Sequence, residues 1–196
     1  MHCAHGYLLH QFLSPLTNQR EDDYGGDLKN RMRFPLDVFK AVRAVCPDGY
    51  PVGVRVSATD WVDGGWDLES TIAFARKLSD LGCDFIDVSS GGNSPEQRII
   101  AGPGYQTGFA SAVRQATGLA TIAVGQITDP HQAETILGTG QADMVALARG
   151  MLYDPRWPWH AAKSLRANVN FSPQYMRANP LLQVEHVKGS SSNAKK

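Results

Sequence analysis

Four short apolar runs, each bounded by turn residues and each alternating with a helix-patterned segment, constrain this chain more than any other feature. They are Tyr50 to Ser57, Cys83 to Ser90, Ala120 to Val124 and Asp143 to Ala148. A short apolar run between turn signals suits a buried strand of a parallel sheet. Between and around them lie the helix patterns. Val38, Val42 and Val45 share one face, with Arg31, Lys40 and Arg43 left for solvent. Pro35 falls inside that pattern and predicts a helix that starts or kinks there, and Pro47-Asp48-Gly49 closes it. Asp67 is a natural N-cap for a helix carrying Leu68, Ile72, Ala75 and Leu78, which stops at Gly82. Phe109 to Thr117 predicts a short helix, Asp129-Pro130 opens another that runs through Ile136, and Trp159 to Ala167 a closing one. Strand and helix thus alternate four times, which predicts a parallel α/β architecture. Four strands alone leave an open sheet with two bare edges, and such edges call for a partner or invite aggregation.

With 196 residues the chain can bury one sizeable core, but it falls short of the ~250 residues of a complete (β/α)8 barrel. Nineteen basic and nineteen acidic residues cancel. Nothing in that balance points to nucleic acid or to an anionic membrane. No apolar run approaches the ~20 residues of a bilayer span, and no signal peptide is visible, so a cytoplasmic location is expected. Cys3, Cys46 and Cys83 are widely spaced and form no metal-ligand pattern, as expected of reduced thiols. Cys3 lies between two histidines, and a neighbouring imidazolium can lower a thiol pKa, but a plain reduced thiol is the preferred reading. The chain beyond residue 180, rich in Ser and Lys from Lys188 onward, is expected to be a disordered tail, with residues 1 to 180 forming one unit.

Chemistry concentrates at the start. His2-Cys3-Ala4-His5-Gly6-Tyr7-Leu8 is followed by Phe12-Leu13-Ser14-Pro15, then Asn18-Gln19-Arg20 and Asp23-Tyr24-Gly25-Gly26. Two imidazoles three residues apart with a phenol close by can hold and protonate a carbonyl compound. On their own, paired histidines are more often polar loop residues or a metal pair. The whole run resembles the old yellow enzyme family of flavin-dependent ene-reductases, in its bacterial NADPH dehydrogenase branch. The resemblance covers about Met1 to Pro180. It implies a parallel (β/α) TIM barrel whose fourth strand ends at this motif, so that the chain is the carboxyl-terminal half of the barrel, about four βα units. It also implies FMN as cofactor and NAD(P)H as reductant, with activated alkenes as small-molecule substrates.

The same resemblance assigns roles by residue. His2 and His5 match the donors to the substrate oxygen, and Tyr7 the proton donor to the alpha carbon; without the histidines, Tyr7 would read as a packing aromatic at a helix start. Arg55, charged within a buried strand, must meet an anion. It either pairs internally with Asp84 or Asp87 or, as in the family pattern Val-Arg-Val-Ser, faces the flavin pyrimidine ring. Gly125, Ala148 and Arg149 close two strands where such barrels bind phosphate. Glycine after a strand is usually only a turn, and Ala148 departs from the family's glycine. Arg177, within Pro173-Gln174-Tyr175-Met176-Arg177, matches a tail arginine that reaches a neighbouring subunit's site, or is a surface arginine. The long loop Gly91 to Gly108 is a candidate for function at the barrel mouth. The aspartates near Arg20 and the Arg31/Arg33 pair are expected to be structural.

A homo-oligomer or a complementing amino-terminal half is the expected partner. A non-catalytic half-barrel is the competing reading. A different phosphate-binding barrel enzyme, such as a lyase, ranks last because it leaves the histidine and tyrosine motif unexplained.

Overall fold

A computed structural model describes residues 1–179; the expected tail lies outside the described residues. The core is a parallel sheet of five strands in the order β1-β2-β3-β4-β5, namely β1 (His2–Cys3), β2 (Gly53–Ser57), β3 (Phe85–Ser89), β4 (Ala120–Val124) and β5 (Met144–Ala146). The sequence reading contained four of these. The fifth, β1, is two residues long and carries no apolar run, so only its pairing of His2 with Arg55 and Cys3 with Val56 reveals it.

Strands β2, β3 and β4 share one burial pattern, and their register explains it. Val54, Ile86 and Thr121 lie in one cross-strand row and Val56, Val88 and Ala123 in another, all buried. Both rows belong to a core completed by the helices, including Phe39, Phe74, Leu78, Val113 and Ile136. The row between them, Arg55, Asp87 and Ile122, points to the opposite face and is only half-buried.

The helices that follow the strands are α1 (Leu8–Leu13), α2 (Leu28–Val45), α3 (Leu68–Asp80), α4 (Thr107–Thr117), α5 (Pro130–Gly138), α6 (Arg149–Tyr153) and α7 (Trp157–Ser164). Helix α2 corrects the expectation built on Pro35. It begins two turns earlier, where the Asp27 carboxylate accepts the Asn30 amide at 2.8 Å, and runs on through the proline. Burial drives this, because Met32, Pro35 and Phe39 are its buried residues, and Phe39 is fully enclosed. Val38 and Val42 pack at the edge of that core, whereas Val45 is 81% exposed and belongs to no apolar face. Since the cap satisfies an otherwise orphaned donor of the longest helix, Asp27→Ala is expected to lower unfolding free energy by ~1 kcal/mol in urea titration.

Around the opening motif, polar side chains tie loops down as expected. Arg20 pairs with Asp22, the Arg31 guanidinium donates to the Leu13 carbonyl at 2.9 Å, and Arg33 donates to that of Asp23 at 2.7 Å. Among the described residues, no helix is long and apolar enough to cross a membrane.

Candidate active site

The carboxyl ends of all five strands open on one side of the sheet, and the residues that follow them form a rim. His5 follows β1 in the left-handed region, φ 56°, and Gly6 continues the turn at φ 74°. Three hydrogen bonds fasten it. The His5 amide donates to Ser57 Oγ at 3.0 Å, Ser57 Oγ donates to the Gly91 carbonyl at 2.8 Å, and His5 Nε2 meets Ser89 Oγ at 2.7 Å. A side chain at Gly6 would run into the Gly92 carbonyl. The two loops therefore touch backbone to backbone, which explains a glycine at this place.

His2 and His5 stand edge to face with ring centroids 5.5 Å apart, and the Tyr7 ring is 5.1 Å from His2. Tyr7 is the N-cap residue of α1 and 63% exposed, so it is not the packing aromatic of the alternative reading. Burial, and then the Arg55 charge, hold both imidazoles below their ordinary range, His5 down to about 4. The rings are neutral at pH 7. His2 Nδ1 accepts the Ala4 amide at 3.3 Å, which leaves Nε2 as the protonated, donating nitrogen.

For His5 the sign of the effect on stability follows directly. The unfolded ring takes up a proton near 6.5 and the folded ring only near 4, so stability is unaffected above pH 6.5 and is lost as the pH falls to about 4. Discounted for partial exposure, the loss is about 1–2 kcal/mol. His5→Gln is expected to flatten the pH dependence of unfolding in that interval, measured by urea titration of both chains.

Of the possibilities for Arg55, the internal pair is present, and its partner is Asp87. Its guanidinium lies 3.0 Å from Asp87, its register partner on β3, while Asp84 instead pairs with Arg43. Burial raises the Asp87 carboxyl despite the arginine. Yet Arg55 Nε is buried without a partner, and the residue lines the same cleft as His5.

That cleft, of about 480 Å³, extends from His5 and Arg55 past Ser89 and Gln106 to Gly125, Ala148 and Arg149. Gly125 sits at φ 123°, with space for a Cβ denied by Gln106 Nε2 at 2.8 Å and the Tyr105 ring at 3.1 Å. Gln106 is itself held, donating to the Val124 carbonyl at 3.0 Å and accepting from Ser90. Ala148 caps α6, and Arg149 is exposed in its first turn.

The fold therefore brings His5, Arg55, Gly125, Ala148 and Arg149 into one cleft, with His2 and Tyr7 beside it. Arg177 lies apart, exposed on the 3-10 turn Pro173–Ala178. Cys3 follows the plain reduced-thiol reading, and the lowering of its pKa by an imidazolium does not occur. It is fully enclosed, and burial pushes its thiol up to about 12, which makes it a packing residue and not a reactive thiol. Ser57, Ser89 and Gln106 were missed; the available signal was the serine that closes each of β2 and β3. Among the described residues, no group of three His, Cys, Asp or Glu could hold a metal.

These features define the class of parallel (β/α) proteins that carry their chemistry at the carboxyl ends of the strands. The chain belongs to the NADH:flavin oxidoreductase / NADH oxidase family, whose model matches residues 1–168. It is 47% identical over 177 residues to an NADPH dehydrogenase of Geobacillus sp. (strain WCH70), covering 90% of this chain and 51% of that protein. An NADPH dehydrogenase of Bacillus licheniformis is likewise 47% identical over 178 residues, with 91% and 52% covered. The chain thus spans about half the length of the curated relatives it matches. Among solved structures, a 2-naphthoyl-CoA reductase complex with 2-naphthoyl-CoA superposes with a TM-score of 0.76 at 28% identity, over 83% of this chain and 26% of the other. Morphinone reductase superposes with a TM-score of 0.65 at 31% identity, over 88% and 45%.

Proposed function

We propose that this chain forms the flavin- and substrate-binding part of an FMN-dependent oxidoreductase that passes hydride from NAD(P)H to activated alkenes. The observation that carries this reading is a cleft that runs from His5, with His2 beside it, to a glycine and arginine end. Its chemistry suits a flat, phosphate-bearing group. Gly125 lets backbone approach where no side chain fits, Arg149 supplies charge for a phosphate, and the unpartnered Arg55 Nε offers a donor and positive charge to an electron-rich ring. When bound, FMN would supply the hydride chemistry.

The chain's own residues would do the rest. His2, through Nε2–H, and His5, in the tautomer whose Nε2 accepts from the Ser89 hydroxyl and whose Nδ1 carries the ring proton, would converge on a carbonyl or nitro oxygen and stabilise the negative charge that develops there. Neutral rings donate without being consumed as acids, and the lowered pKa values favour that form. The exposed Tyr7 phenol delivers the proton to the alpha carbon. Arg177, on its exposed turn, would reach a neighbouring subunit.

The test is the visible spectrum of the purified chain after FMN is added and the excess removed. A retained flavin band that bleaches anaerobically with NADPH and recovers with cyclohexenone supports the reading. A colourless protein supports the second one, a half-barrel that works only with a complementing chain. That alternative is favoured by the half-buried row Arg55, Asp87 and Ile122 and by Met144, 39% exposed on the edge strand.

A further inference from the structure

Behind the His5–Gly6–Tyr7 turn lies a polar network that does not line the cleft. His10 and Asp60 are both fully enclosed, with His10 Nε2 3.0 Å from Asp60 Oδ1. The contact is close but not aligned as a hydrogen bond, and neither atom has a hydrogen-bond partner elsewhere, so each is offset only by the other. The second carboxylate oxygen accepts from Ser14 Oγ at 2.6 Å, from the Trp66 amide at 2.9 Å and, more distantly, from Asn93 Nδ2 at 3.4 Å. On its other side His10 Nδ1 accepts the Gly6 amide at 3.0 Å.

These contacts fix a tautomer. A nitrogen that accepts an amide N–H carries no proton, so the ring proton of His10 sits on Nε2, facing the carboxylate. Burial works against the Asp60 charge, but the adjacent His10 ring and the hydrogen bonds from Ser14 and Trp66 outweigh it and hold the carboxyl below its ordinary range. The one backbone donor that His10 captures belongs to Gly6, between the imidazole of His5 and the phenol of Tyr7. His5 holds a left-handed backbone angle, which in a residue other than glycine persists only where the surroundings impose it, and Gly6 continues the turn.

We propose that His10 and Asp60 are a positioning pair: Asp60 selects the Nε2–H tautomer of His10, and that tautomer holds the Gly6 amide so that His5 and Tyr7 keep their orientation. The role of the turn rests on the oxidoreductase reading above; the tautomer and its grip on Gly6 do not.

Asp60→Asn separates the pair's geometry from its chemistry. Three donors keep the amide oxygen in the place of Oδ2, so the amide nitrogen faces His10 Nε2. Donor then meets donor unless the ring proton moves to Nδ1, where it opposes the Gly6 N–H. In two-bond proton–nitrogen spectra of the labelled chain without flavin, His10 is expected as the Nε2–H form in the unaltered protein and as the Nδ1–H form in Asp60→Asn. Hydrogen exchange of the Gly6 amide should rise about tenfold or more, while the amides of Val54 and Ile86 in the central strands keep their protection.

His10→Asn, whose side-chain oxygen can stand where Nδ1 stood, should retain Gly6 protection, and His10→Leu should lose it. That comparison carries the test if Asp60→Asn does not fold. An Nδ1–H or doubly protonated His10 in the unaltered chain at pH 7 would overturn the proposal. So would an unchanged tautomer in Asp60→Asn, or equal Gly6 exchange in the two His10 variants. A chain that retains no FMN defeats the oxidoreductase reading and leaves these outcomes intact. With FMN retained, Asp60→Asn is expected to lower kcat for cyclohexenone more than it raises KM.

Discussion

The flavin-loaded His2→Ala/His5→Ala chain is expected to reduce cyclohexenone at least ~10³-fold more slowly than the unaltered chain, because removing even one preorganised donor to a developing oxyanion costs ~10²–10³ in rate. The two imidazoles are 5.5 Å apart, each with one ring nitrogen already engaged, His2 by the Ala4 amide and His5 by Ser89. Each therefore has one nitrogen left for the same oxygen. Groups that act on one atom as a unit are not additive, so the single variants should each show most of the loss. The measurement is the rate of flavin reoxidation by cyclohexenone in stopped flow, which isolates the step in which that oxygen is polarised. A loss under tenfold would remove the histidines from the chemistry.

Gly125→Val is expected to release FMN and to lower unfolding free energy by about 2–4 kcal/mol, part from backbone strain at a positive φ and part from broken buried hydrogen bonds. At φ 123° an L side chain is strained whatever the space, and here the space is taken. A branched side chain must displace Gln106 or Tyr105. Gln106 is the buried link between Ser90 after β3 and the Val124 carbonyl at the end of β4, so the displacement opens the rim between those strands. Urea titration reads the first effect and the flavin spectrum after gel filtration the second. Unchanged stability would mean that the rim bends freely around the new side chain.

The strands were legible where sequence and environment agree. Ala120–Val124 is apolar, bounded by turn residues and buried on the helix-facing side, and its limits coincide with the expectation. Arg55 was legible as a charge that needed company, and Asp87 across the ladder supplies it. What escaped depended on distance along the chain. His2–Cys3 is a strand only because residues fifty positions later lie beside it. The early start of α2 depends on the Asp27 side chain and on a core that accepts Pro35, which the local rule for proline cannot register. Cys3 was rightly read as a plain thiol; the imidazolium effect that its sequence neighbours offered does not operate, because its neighbours in space are apolar. His10 was visible as a letter in the motif, but its use rests on Asp60, which no spacing rule connects to it.

The order of the sheet has a further consequence. Each strand bonds only to the strands immediately before and after it in the chain. No strand has to wait for the far end of the molecule, so loop-closure entropy is met in small instalments, and assembly can begin at any unit and spread to the next. Such a lattice of nearest neighbours distributes cooperativity link by link. Damage at Val88, in the middle strand, would weaken the sheet on both sides at once, whereas damage at Cys3 would fray one end.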